Sequence, residues 1–162
     1  RQFEAEINAT AIARNEEILS SGKNYERIFE LYSKQWGLIS NICTTYLNSG
    51  DKSEKNSGYK KVMKILSELS KDENLNELVE GINRIYSGVL DDISSIDQSI
   101  TKNDIYTIAL ASTGASIRII SLILNSNQST LYNRRDRIVE KIKASASISK
   151  EKMLRFLGKQ RI

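Results

Sequence analysis

No proline occurs in 162 residues, and that absence constrains the fold more than any other feature of the chain. At average usage, about 5%, roughly eight would be expected, and proline is the residue a helix interior tolerates least. The eight glycines are spread out rather than clustered, and long stretches of Glu, Lys, Leu, Ile, Asn and Ser run between them. The expectation is an all-α fold. An apolar content of 40% over this length supplies a core for one or two small domains.

Other residue types exclude whole chemistries. The chain has no histidine, so a Ser–His–Asp or Cys–His nucleophile, a zinc deaminase and an ordinary zinc finger are all ruled out. A single cysteine, Cys43, removes disulfide frameworks and CxxC pairs and suits a reducing compartment. The longest apolar run, near Ile105–Ala111, is far too short to span a bilayer, and no signal peptide opens the chain. The first residue is Arg1 rather than Met, so the chain reads as a fragment of something longer. No nucleophile, base and orienter can be named together, so no enzyme and no cofactor are expected. Asp91-Asp92 lacks the partner cluster a metal would need and reads as a solvated helix face.

The net charge of +4 conceals a segregation. Residues 1–99 carry 12 basic and 16 acidic side chains, whereas residues 100–162 carry 12 basic and 4 acidic. The second segment, at +8, has the electrostatic footprint of a nucleic-acid or anionic-surface binder.

The chain divides by pattern into residues 1–48, 49–99 and 100–162. In the first part, Phe3, Ile7, Ala11 and Ile18 form a thin stripe that needs a partner to hold a helix in water. From Asn24 to Leu47, Ile28, Leu31, Gln35, Leu38 and Ile42 make a coiled-coil seam with one polar position. A second stripe, Tyr25, Phe29, Tyr32, Trp36, Ile39, Cys43 and Tyr46, lies beside it. Such a helix is buried on more than one side, either at the centre of a monomeric bundle or between its own domain and a dimer mate. A loop is expected from Asn48 to Gly58, then a helix over Tyr59–Ser70 and a short turn at Lys71–Asn74. A further helix over Leu75–Ile93 is expected to face inward through Leu78, Ile82, Ile85, Tyr86, Val89 and Leu90.

Residues 102–143 carry three helical patterns with short joints. The first spans about Asn103–Ser112 and stops at Thr113-Gly114, where glycine suits a left-handed C′ position. Ser116 caps a second over Ile117–Leu124. After the turn Asn125-Ser126-Asn127-Gln128, a third begins at Ser129 or Thr130 and runs to about Lys143. A short helix, a tight joint and a longer basic helix describe a helix-turn-helix, whose last helix enters the major groove.

The stretch from Gly114 to Ile142 resembles the LuxR/FixJ-type DNA-binding domain, fitting its pattern without a gap. Gly114, Ser116, Ile120, Leu124, Ser126, Thr130, Leu131, Ile138, Lys141 and Ile142 all match in type. The run Tyr132-Asn133-Arg134-Arg135-Asp136-Arg137, followed by Lys141-Ile142, looks most like the C-terminal region of membrane-tethered bacterial regulators. In those a sensor, often of tetratricopeptide repeats, leads through a membrane helix and coiled coil to a cytoplasmic helix-turn-helix. The similarity extends to the helices before residue 100 and to the tail Ser149–Leu157. It implies a cytoplasmic location, a parent anchored in the inner membrane, an upstream sensor segment as partner, and a juxtamembrane coiled coil at the N-terminal stripe.

On the third helix, Leu131, Arg135, Ile138 and Ile142 share the inward stripe, while Tyr132, Asn133, Asp136, Arg137 and Glu140 lie opposite with Arg134 at the flank. Asn133 suits adenine, Arg137 suits guanine or phosphate, and Tyr132 suits sugar or a thymine methyl group. Ser129 and Thr130 at the helix start suit phosphate, Arg118 and Lys141 suit the backbone, and Arg134 at the flank is counted among the DNA-binding residues. Asp136 and Glu140 depart from the family pattern by placing two negative charges on the groove-facing side. The closing segment from Ser149 reads as a helix whose Met153, Leu154, Phe156 and Leu157 need a partner. The reading is therefore a transcription regulator, homodimeric on double-stranded DNA. The alternative is a helical signalling or adaptor module that binds protein partners, with its arginines in internal salt bridges.

Overall fold

Every regular element in the computed structural model, which describes residues 27–43, 45 and 50–160, is helical. Tyr25, Tyr46 and the stripe from Phe3 to Ile18 lie outside the described residues. The helices are α1 (27–43), α2 (Lys52–Leu69), α3 (Asp72–Ile85), α4 (Val89–Ser94), α5 (Lys102–Ser112), α6 (Ile117–Leu124), α7 (Gln128–Ala144) and α8 (Lys150–Gly158). None of these is long and apolar enough to cross a membrane.

Two boundaries differ from the sequence reading. Residues 52–58 are helical rather than looped, because the Asp51 side chain caps α2 by accepting from the Ser53 amide at 2.8 Å. Gly58 then sits buried inside the helix. The helix expected over Leu75–Ile93 is two helices. Ser87 and Gly88 adopt left-handed backbone, with φ of 56° and 75°. The Asn83 carboxamide oxygen stabilises the break by accepting from the amides of Leu90 and Asp91 at 2.9 and 3.2 Å. Glycine takes such a conformation without strain, so Gly88 eases the turn while Ser87 carries the cost of its own left-handed backbone.

One contiguous core draws on all three sequence segments. Tyr32 and Ile39 of α1 join Leu66, Leu69, Leu75, Leu78, Ile82, Val89, Leu90 and Ile93, and then Ile108, Leu110, Ile120, Ile138, Ile142, Met153 and Leu157. The second stripe of α1 faces this core, and the Tyr32 hydroxyl donates to the Leu69 carbonyl at 3.2 Å. Burial, with the nearby Glu77 adding to it, raises the Tyr32 pKa. The seam stripe is divided. Ile42 is buried and Ile28 and Gln35 are half-buried, but Leu31 and Leu38 are 49% and 46% exposed.

Trp36 ties α1 to the joint between α5 and α6. Its Nε1 donates to Thr113 Oγ1 at 3.0 Å, and that hydroxyl donates onward to the Leu110 carbonyl at 2.6 Å. Trp36→Phe removes the donor together with the pyrrole part of an indole packed on the core, so a loss of at least about 1 kcal/mol is expected, read as a lower melting temperature. Unchanged melting would mean that the bond adds nothing to the packing.

Candidate nucleic-acid interface

The region after residue 100 begins with a reciprocal cap. Thr101 Oγ1 accepts from the Asp104 amide at 3.2 Å, and Asp104 Oδ2 accepts from the Thr101 amide at 2.8 Å. This capping box satisfies two amides that a helix start otherwise leaves open. The helix ends at Thr113, and Gly114 turns the chain with φ of 96°. Ser116 then caps α6 by accepting from the Ile119 amide at 3.3 Å. Asn125 takes the left-handed position at the end of α6, and α7 begins at Gln128 rather than at Ser129 or Thr130, capped by Asn127, which accepts from the Ser129 amide at 2.8 Å. The helices α5, α6 and α7 each touch the other two.

α7 presents two contrasting sides. Leu131, Ile138 and Ile142 are buried. Arg135, between them in the inward stripe, is half-buried and donates from Nη2 to the Leu157 carbonyl near the end of α8 at 3.0 Å. Ser129, Thr130, Tyr132, Asn133, Asp136, Arg137 and Glu140 are all exposed. On α6, Arg118 is exposed, and one turn later so is Leu122. Five of the eight residues assigned to DNA from sequence therefore share one open face of α7, with Arg118 on the neighbouring helix.

The remaining two, Arg134 and Lys141, are engaged within the chain. Arg134 forms a bidentate pair with Asp104, Nε to Oδ1 at 2.5 Å and Nη2 to Oδ2 at 2.6 Å. The Asp104 side chain is only 5% exposed. Burial opposes its ionisation, but the hydrogen bonds from Arg134 and Thr101 outweigh burial and lower its pKa. The same contact, again against desolvation, raises that of Arg134. Lys141 donates from Nζ to Asp97 Oδ2 at 3.0 Å and also reaches the Ser99 hydroxyl. Asp97 is held down at about 2, first by the Ser99 amide and then by the Lys141 ammonium.

Neither carboxylate stood out in the sequence as a site residue. Thr101 and Asp104 have capping-box spacing and Asp97 and Ser99 have the spacing of an Asx turn, so both were recognisable as local structure. That each also holds a cation 30 or 44 positions away is a tertiary fact. Among the described residues no cluster of acidic or cysteine side chains is arranged to hold a metal ion. No family model, no curated protein and no solved structure matches the chain.

Proposed function

We propose that this chain is the DNA-binding part of a transcription regulator, in which α5–α7 act as a LuxR-like helix-turn-helix and α7 enters the major groove. The observation that carries the reading is the exposed face of α7, where Ser129, Thr130, Tyr132, Asn133 and Arg137 stand together while the opposite face packs inward. Asn133 and Arg137 are the base-reading pair, and Arg118 with the two hydroxyls positions the helix on phosphates. Arg134 and Lys141 leave this direct set, because each already has a carboxylate partner. The protein acts as a dimer through the exposed Leu31 and Leu38 of α1, which doubles the contacts by making the second half-site intramolecular. A cytoplasmic location and an upstream sensor segment belong to the same proposal.

Fluorescence anisotropy with random-sequence duplex, titrated at several salt concentrations, tests it. Each phosphate neutralised contributes about −0.9 to the slope of log K against log salt, so affinity should fall steeply, and Lys60→Glu on α2 should leave it unchanged. Tight self-association with no duplex binding would sink the reading in favour of a protein-binding adaptor. That second reading has support of its own, since three of the basic side chains of α7, Arg134, Arg135 and Lys141, are engaged inside the fold and Asp136 and Glu140 stand on its open face.

A further inference from the structure

Arg134, Arg137 and Lys141 follow one another at intervals of three and four residues, which places them on one stripe of α7. The stripe faces the loop between α4 and α5, and all three line the same small cleft with Ser99. Its two end members meet carboxylates from outside α7, and the two pairs are built differently. Asp104 is buried, chelated twice by Arg134 and part of a helix cap, so Arg134 cannot leave without stranding a desolvated charge. Asp97 meets Lys141 through one oxygen, with the Ser99 hydroxyl as the lysine's other acceptor, and both side chains are partly exposed, at 41% and 28%. A pair this open is easily exchanged for water or for another anion. Opening it leaves Asp97 in place, because its Oδ1 still accepts from the Ser99 amide at 2.8 Å. The lysine stem is flexible enough to turn toward a phosphate beside Arg137.

From this arrangement we infer that Asp97 is a built-in competitor of the DNA backbone, occupying the Lys141 ammonium that a phosphate would otherwise take. The inference rests on the duplex-binding reading of α7. Its consequence is regulatory. Asp97 belongs to the short connection joining α4, which packs on α3 and α8, to the start of α5. A shift of the upstream helices that moves this connection frees a cation on α7 without altering α7 itself.

Asp97→Asn is the test, because asparagine keeps the oxygen that accepts from the Ser99 amide while removing the charge. With random-sequence duplex at about 0.1 M salt, the variant should bind roughly tenfold more tightly, and its salt slope should steepen by about 0.9, the signature of one more neutralised phosphate. Asp97→Ser, which also keeps an acceptor, should behave the same way. In a Lys141→Met background the Asp97→Asn change should alter neither affinity nor slope. Equal tightening in both backgrounds would mean a diffuse field effect and would overturn the inference, as would a wild-type slope in the single variant. A wild-type protein that binds duplex alongside an unresponsive variant sinks this inference alone. Failure of every protein to bind duplex removes the DNA reading and the inference together.

Discussion

Arg134→Ala should cost about 3 kcal/mol of folding stability, the usual penalty for stripping one partner from a buried ion pair. For a chain of this size that corresponds to a fall of roughly 6–12 °C in melting temperature. Arg137→Ala, three residues along the same helix, should change stability by no more than about 0.5 kcal/mol because it sits on the open surface. The contrast follows from the acid, not from the arginine. Asp104 is buried at the start of α5, and without the guanidinium its remaining hydrogen bonds come from the cap.

The pH dependence has a definite sign. In the wild type the folded pKa of Asp104 lies below its unfolded value, near 3.9. Its contribution is therefore complete above that value and is lost as pH falls through the folded pKa. In Arg134→Ala the guanidinium no longer offsets burial and only the Thr101 cap still favours the carboxylate, so the folded pKa rises and the destabilisation is greatest at neutral pH. Acidification protonates the stranded carboxyl and relieves it. Melting curves followed by circular dichroism should thus show a wide gap between wild type and variant at pH 7 and a narrow one near pH 3. A gap that is constant with pH would show that Arg134 acts through packing of its stem rather than through Asp104.

The second large effect concerns the open face. Arg118→Glu with Arg137→Glu should weaken random-duplex binding by more than about a hundredfold at low salt and flatten the salt slope by about two phosphates' worth. Reversal at Arg137 leaves Asp136, Glu140 and the new glutamate together on the exposed face, so the phosphates would meet repulsion as well as the loss of a partner. Both positions are exposed, so the doubly reversed protein should melt close to the wild type. That distinction makes Arg137 a better probe than Arg134, whose reversal would also set a glutamate against Asp104. Asn133→Ala should cost about 2 kcal/mol on a preferred sequence and little on random duplex, because a base contact discriminates while a phosphate contact does not. An unchanged salt slope in the double reversal would remove the α6–α7 face from any nucleic-acid role.

Charge segregation along the chain is softened in three dimensions. Lys141 pairs with Asp97 and Lys152 with Asp92, at 3.0 and 2.5 Å, each joining the basic C-terminal segment to the acidic part before residue 100. Lys152 also donates to the Ser87 carbonyl at 2.9 Å, at the left-handed break before α4. Several of the charges counted as a footprint in the sequence therefore serve as fasteners between α4, its following loop and the last two helices. The cations that stay on the surface of α6 and α7 include Arg118 and Arg137.

What the sequence by itself determined was the set of events that depend on neighbours a few residues away. Apolar spacing located α5, α6 and α7, Ser116 marked a cap and Gly114 a left-handed stop, because each acts through amides and carbonyls within one turn. The break at Ser87-Gly88 escaped that logic, since a helical pattern continues across it and the stabilising bonds come from Asn83 to residues seven and eight positions on. Only the tertiary structure decided which members of a chemically uniform stripe are spent and which are open. Arg134, Arg137 and Lys141 have the same charge and nearly the same spacing, yet Arg134 meets a buried carboxylate, Lys141 a partly exposed one and Arg137 the open surface. Ion pairing is set by distance in space, and carboxylates 30 and 44 residues away enter that distance only after the helices have packed.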